Sequence, residues 1–366
     1  MKSLLITCVL LLLVSGIEHE QFLPKIAIAT EGRSTEIILW LELLHHMESK
    51  NHVNLFLLAY DAPLESQLCS NHSRVICMFE PNSTWTSGRN ILARTMSQFE
   101  KKNQNHHGNE RYFKYWLFGD QDMAILNNCG EATHCKPPEY PGNSIKLAAC
   151  CYDIAVKTLL IPEIQYAAVN FVNYEIYRQN YSRVDYLGFS HVDCSDGALN
   201  AFHRAAVPVI LPYIEMLDDQ SWWESQRMHF HLITGCFPGY SVYSNIFELQ
   251  TTTAHSNYPT GLVPVDEVLK TLVQVYGKYD LIPDPIPRFF EQMNQGNCAN
   301  LNHRKMGLNG SYEPYNHNNG AAKTTFSTYG NSQDWQELPI FKKCLAALRP
   351  RFNRYIETGD LRRIDG

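Results

Sequence analysis

The sequence predicts an α/β fold, a mostly parallel central sheet flanked by helices, and two features carry that expectation. Short apolar runs alternate with amphipathic stretches along the first half of the chain, the pattern of strands joined by crossover helices. The most aromatic of these runs, YWLFGDQDMAIL at 115–126, stops at a glycine and two aspartates, Asp120 and Asp122. Ligands of open α/β sheets bind beyond the carboxyl ends of the strands, so this strand ends where a site is expected.

IAIAT at 26–30 is a short buried strand, and Ser34 can cap a helix whose Ile37, Trp40, Leu41, Leu44 and Met47 recur at helical spacing. VNLFLLAY at 53–60 and VICMF at 75–79 read as two further strands. Thr86 and Ser87 open a second amphipathic helix, GRNILARTMSQF, with Ile91, Leu92, Met96 and Phe99 on one face. The polar stretch 101–111 reads as a surface loop before the strand at 115. A helix at about 144–159 and a strand at 166–171 continue the alternation. Beyond residue 263 come a helical segment at 265–276, a proline-rich turn at 284–287, a Gly/Asn-rich loop at 308–322 and a basic amphipathic end at 341–354.

A chain of 366 residues with 45% hydrophobic content can bury a sizeable core. Net charge is −6 and the 31 lysines and arginines are scattered, which argues against a nucleic-acid partner, because phosphate binding needs clustered positive charge. Lys2, the apolar run at 4–14 and the small residues up to Gly16 have the layout of a secretory signal peptide spanning residues 1–16. Membrane contact is expected only if this segment stays uncleaved as a signal anchor. Of 11 cysteines, Cys8 falls in that segment, leaving an even ten. Cys69 with Cys77 and Cys129 with Cys135 are plausible local disulfides, Cys150 and Cys151 are expected to take separate partners, and Cys298 and Cys344 could staple the C-terminal region to itself or to the rest. Four sequons begin at Asn71, Asn82, Asn180 and Asn309. The expected setting is the secretory pathway lumen (Golgi or endoplasmic reticulum) or the exterior.

In an extended segment residues i and i+2 point to one side, so Asp120 and Asp122 can face one point in space. Two like charges held together are costly unless a cation or hydrogen-bond donors neutralise them. Mg²⁺ and Mn²⁺ take carboxylate and phosphate oxygens and often share a site with substrate phosphates. A solvated turn and a cation site both remain open readings of the pair.

Four pieces in order resemble the GT-A-fold glycosyltransferases, the nucleotide-sugar enzymes marked by an Asp-x-Asp at a central strand end. They are the 26–30 strand with its loop TEGR, SGRNILAR at 87–94, FGDQDM, and DGALNAFHRAAVPVILPY followed by DDQSWWESQ up to residue 226. The resemblance covers about 25–255 and implies a GT-A-like, Rossmann-type catalytic domain over 22–262, with a nucleotide-binding half at 22–126 and an acceptor half at 127–262. Residues 263–366 would be a C-terminal extension packed on it. The family pattern implies that Thr30, Glu31, Arg33, Arg89 and Asn90 lie near the nucleotide of a donor such as a UDP-sugar, and that Asp120 and Asp122 hold Mn²⁺ or Mg²⁺ with it. His255 stands where many members place a third metal ligand. The acceptor, a glycan or glycoprotein, would meet Asp193, Asp196, Gly197 and Trp222. The module departs from the family in having one glycine where two are usual and Asp-Asp where Glu-Asp is commoner.

Inverting transfer needs a base that deprotonates the acceptor hydroxyl. Asp219, or Asp218, would serve if it opens a helix near Gln220, since the helix dipole would keep it ionised. The plainer alternative is a helix cap, worth about 1 kcal/mol. Trp222 and Trp223 could stack a sugar, but adjacent helical residues cannot both point at it. A secreted metal-dependent phosphoester hydrolase and a non-catalytic carbohydrate-binding protein are the competing functions.

Overall fold

A computed structural model of the chain describes residues 25–107, 113–121, 145–162, 164–171, 189–191, 197–237, 240–244, 263–279, 281, 304–306, 312–314 and 334–361. Among these residues eight strands form the main sheet: β1 (Ile26–Gly32), β2 (Val53–Ala59), β3 (Val75–Phe79), β4 (Tyr115–Asp120), β5 (Ala168–Asn170), β6 (Phe189–His191), β7 (Leu199–His203) and β8 (Ser241–Ser244). Their order is β3-β2-β1-β4-β7-β5-β8-β6. The first four are parallel, β7 runs antiparallel to β4 and β5, β8 is parallel to β5, and β6 is antiparallel to β8. The protein therefore has the Rossmann-like α/β architecture that its alternating pattern predicts, with six strands in one direction and two reversed. β9 (Arg304–Met306) and β10 (Tyr312–Pro314) make a separate antiparallel pair.

The pleat divides the core in two. In β1, Ile26 and Ile28 face one cluster while Ala27 and Ala29 face the other, as a two-residue period requires. The first face is covered by α1 (Ser34–Ile37), α2 (Leu39–His46) and α5 (Ile145–Leu160), where Trp40 meets Tyr152 edge-on with ring centroids 4.8 Å apart. The short α3 (Ser66–Ser70) is clipped to β3 by the Cys69–Cys77 disulfide. The opposite face carries α4 (Trp85–His107), α6 (Val207–Ile210), α7 (Trp222–Cys236), α8 (Val265–Tyr276) and α9 (Pro339–Thr358).

Several boundaries differ from expectation for identifiable reasons. β1 continues through Gly32, so Glu31 belongs to the strand and not to a following loop. Ser34 is the first helical residue, not the cap; its N–H is taken by Asp61 Oδ1 at 2.6 Å, a tertiary cap from the end of β2. α4 starts at Trp85 and runs to His107, so most of the polar stretch expected as loop is helix. A helix already nucleated propagates into solvent-facing residues without needing an apolar stripe.

The C-terminal segment is built into the core. Phe341, Leu348, Phe352, Tyr355 and Ile356 of α9 join the cluster that contains Phe118 and Phe202. Cys344 pairs with Cys236 at the end of α7, tying α9 to the main body. Trp335 donates its indole N–H to the Gln165 carbonyl at 2.6 Å, and Arg351 donates to the Pro212 carbonyl at 2.8 Å. Cys150 and Cys151 are both disulfide-bonded. Residues 1–16, Cys129, Cys135 and Cys298 lie outside the described residues. No helix among the described residues is long and apolar enough to cross a membrane.

Candidate functional site

β1 and β4 are adjacent and parallel, and their register pairs Glu31 with Asp120. By the pleat, Glu31 follows Ala27 and Ala29, and Asp120 follows Trp116 and Phe118, onto the face covered by α4. Two carboxylates thus stand side by side at the carboxyl edge of the sheet. The backbone on either side is shaped for close approach. A Cβ on Gly88 of α4 would lie 1.6 Å from Glu31 Oε2, so any larger residue there would force the buried Glu31 carboxyl to shift. A Cβ on Gly119, pointing to the other face, would meet the Trp40 ring at 2.9 Å and the Tyr152 hydroxyl at 3.1 Å. The apolar run therefore ends on glycine because the Trp40–Tyr152 pair occupies that space.

The cation that answers these carboxylates is the protein's own. Arg89, almost fully buried, donates from Nη2 to Asp120 Oδ1 at 2.6 Å, and its Nε lies 3.9 Å from Glu31 Oε1. Its guanidinium sits 4.0 Å from the centre of the Trp85 ring. Trp85 in turn donates its indole N–H to the same Asp120 oxygen at 2.7 Å. Trp85 and Arg89 are four residues apart on α4, one turn, so they present a joined surface to Asp120. Burial works against the charge on Arg89, but Asp120, Tyr213 and Glu31 outweigh it and hold its pKa above the ordinary value. Asp120 is therefore neither simply solvated nor bare.

Glu31 is answered less well. It is 7% exposed, and neither carboxyl oxygen accepts a hydrogen bond among the described residues. Burial pushes its pKa well above the usual carboxylate range; Arg89 opposes the shift, while Asp120 and Asp218 add to it. The site thus pairs an Asp120 clamped by Arg89 and Trp85 with a neighbour that burial pushes toward its neutral form.

A second layer holds the segment around residue 213 against α4. Asn90 accepts the Tyr213 N–H at 2.7 Å and donates to the Tyr213 carbonyl at 3.0 Å and to Glu215 Oε1 at 2.7 Å. Tyr213 meets Trp85 edge-on at 5.4 Å and stacks on His229 at 4.3 Å. His229 is kept neutral, its pKa lowered to about 3 by burial and by Arg89. Asn90, expected beside the nucleotide, is fully buried and engaged with this segment instead.

The acidic pair divides sharply. Asp218 is buried and accepts the Thr84 hydroxyl hydrogen, while Thr84 and Ser87 exchange backbone-to-side-chain hydrogen bonds at the start of α4. Burial raises the Asp218 pKa to about 7, opposed by the Thr84 and Thr86 hydroxyls and reinforced by Glu215 and Asp219. Asp219 is exposed in the turn before α7. That helix begins at Trp222 with Ser221 as its N-cap, so neither aspartate opens it, and the expected dipole effect from their own helix does not apply. The helix end that Asp218 meets is that of α4.

The remaining expected residues are distributed as follows. Thr30 is buried on the opposite face of β1 from Glu31. Arg33 is exposed at the rim, where Tyr60 at the end of β2 shares hydrogen bonds with Arg33 and Gln121. The Gly197 N–H donates to Gln226 Oε1 at 3.2 Å. Trp222 is half-buried and packs on the core, which makes it a poorer sugar platform than expected. Asp122, Asp193, Asp196 and His255 lie outside the described residues. Among the described residues no group of three or more His, Cys, Asp or Glu is placed to hold a metal ion. Trp85, Tyr60, Thr84 and Tyr213 were not anticipated; the one-turn spacing of Trp85 from Arg89 is the signal that could have found the first.

No protein-family model and no curated protein matches this sequence. Among solved structures the chain is similar to a cytidylyltransferase from Leptospira borgpetersenii serovar Hardjo-bovis (strain JB197), with 10% sequence identity and a TM-score of 0.30 over 75% of this chain and 96% of that one.

Proposed function

We propose that the protein is a GT-A-like glycosyltransferase that moves a sugar from a nucleotide-diphosphate donor, a UDP-sugar, to a hydroxyl of a glycan or glycoprotein acceptor, with inversion. The observation that carries the reading is the register pair Glu31 and Asp120 at the carboxyl edge of two adjacent parallel strands, clamped by Arg89 and Trp85 from α4. That edge is where α/β sheets bind nucleotides. Arg33, Tyr60 and Gln121 form the adjoining rim and would meet the nucleotide there.

Asp120 and Glu31 offer hard oxygen ligands of the kind Mn²⁺ or Mg²⁺ takes: Asp120 lies at the sheet edge, and neither Glu31 carboxyl oxygen accepts a hydrogen bond among the described residues, although Arg89 Nε lies 3.9 Å from Oε1. Asp122 and Asp120 would hold the ion, with His255 as a candidate third ligand. When bound, the ion would offset the charge of the diphosphate leaving group. Asp120 already shares one oxygen with Arg89 and Trp85, so Asp122 is the more direct ligand in this reading. Asp219, exposed and next to the buried cluster, is the candidate base for the acceptor hydroxyl. Asp218 is the fallback, hindered by its contact with Thr84. Asp193, Asp196, Gly197 and Trp222 remain candidates for the acceptor side.

Incubating purified protein with a panel of nucleotide sugars and Mn²⁺ tests the reading. Release of nucleoside diphosphate dependent on acceptor and metal is the expected outcome. No release from any donor across a broad acceptor set would contradict it.

A further inference from the structure

The site does not use a second group of features, which lies at one edge of the sheet. β3 is the outermost strand, hydrogen-bonded to β2 alone among the described residues. Its burial declines along its length, from a buried Val75 to Phe79 at 40% exposure. Five residues at about 3.3 Å each make roughly 17 Å of edge with no partner strand among the described residues, and a free edge with an exposed aromatic is a template for pairing with another chain.

Two sequons bracket this strand. Asn71-His-Ser follows α3, which the Cys69–Cys77 disulfide fixes against the middle of β3 with Cα atoms 6.0 Å apart. Asn82-Ser-Thr lies three residues beyond the strand's end. Both asparagines are exposed. Asn82 is the one non-glycine residue with positive φ among the described residues, at 61°, a turn conformation that turns its side chain off the path of the chain and that asparagine tolerates better than most residues.

We propose that Asn71 and Asn82 carry N-linked glycans that shield the free edge of β3 against strand-to-strand association. In the transfer, the Asn side-chain amide nitrogen forms a bond to the anomeric carbon of an oligosaccharide carried on a lipid pyrophosphate. The bond from that carbon to the pyrophosphate oxygen breaks, the lipid pyrophosphate leaves with the electron pair, and the amide loses one proton. The disulfides at Cys69–Cys77 and Cys236–Cys344 agree with the oxidising compartment where this reaction occurs. Glycans are bulky and strongly solvated, so one on the segment that leads into the strand and one beyond its exposed end would exclude a partner strand.

The test begins with protein secreted from cells that add N-glycans, digested after glycosidase release in ¹⁸O-labelled water. Labelled aspartate at both positions 71 and 82 is expected; unlabelled asparagine at both would overturn the proposal. The folded protein is then treated with glycosidase, and Asn71→Asp/Asn82→Asp and Asn180→Asp/Asn309→Asp variants are compared with wild type by size-exclusion chromatography with light scattering. The treated protein and the first variant should lose most of their monomer at concentrations where wild type and the second variant keep it. Because the treated protein folded with its glycans in place, its behaviour separates shielding from a folding defect in the variant. Monomer retained after full deglycosylation, or equal loss in both variants, would overturn the shielding role.

Discussion

Arg89 is the residue on which the site turns. Removing it would leave the half-buried Asp120 against Trp85 without its cation, and truncating one member of a fully buried pair typically costs about 3–5 kcal/mol, an upper bound here. Arg89→Met is therefore expected to destabilise by up to that much in denaturant melts, with the loss reduced when Asp120→Asn is added. Equal losses with and without the second change would mean that the pair at 2.6 Å contributes little. Gly88 offers a sharper case, because two effects oppose. Alanine is favoured over glycine in a helix by about 1 kcal/mol, yet its Cβ would fall 1.6 Å from Glu31 Oε2. Gly88→Ala should destabilise the wild type more than a Glu31→Ala background, where Leu58 Cδ2 at 3.3 Å is the remaining close atom, a difference readable in two pairs of melts.

Asp218 supplies a pH signature. Its folded pKa of about 7 lies above the value near 4 expected of an unfolded aspartate. Between those values the folded state holds the extra proton, so this group's contribution to stability is full below about pH 4 and is lost as pH rises through about 7. Asp218→Asn lacks the effect. The melting temperature of the variant minus that of wild type should climb from about pH 4 to about pH 7 and then level off. A difference that is flat across this window would mean that Asp218 ionises normally.

At the scale of elements, the strand–helix alternation could be read because apolar runs and helical stripes are local signals. β1, β2, β3 and β4 follow from IAIAT, VNLFLLAY, VICMF and YWLFGD alone. The burial of Asp218 against Thr84 could not be read, because it joins residues 134 apart in sequence. Nor could the role of Asn90, whose partners at 213 and 215 are brought to it by the path through β7 and α6. The strand position of Glu31 was hidden by its charge, which reads as loop; only packing against Gly88 and Arg89 makes it tolerable there. α9 was legible as a basic amphipathic stretch, but that its apolar side completes the cluster containing Phe118 and Phe202 was not. The Cys236–Cys344 link closes a loop of 108 residues, for which chain entropy predicts about 5 kcal/mol. Cys344→Ser should lower stability by an amount of that order, and a change under about 1 kcal/mol would show that packing of α9 alone suffices.

For the whole molecule, the parts converge on the carboxyl edge of β1 and β4. The sheet delivers Glu31 and Asp120 there, α4 supplies Arg89 and Trp85, and Asn90 and Asp218 hold the later half of the chain against the start of that helix. The central claim is that this edge binds a nucleoside diphosphate together with a divalent cation. Calorimetric titration of UDP into the full chain, with and without Mn²⁺ and with wild type beside Asp122→Ala, tests it most directly. Binding that requires Mn²⁺ in wild type and disappears in Asp122→Ala, with the melting temperature unchanged, is the predicted result. UDP and Mn²⁺ binding to Asp122→Ala as tightly as to wild type would contradict the account.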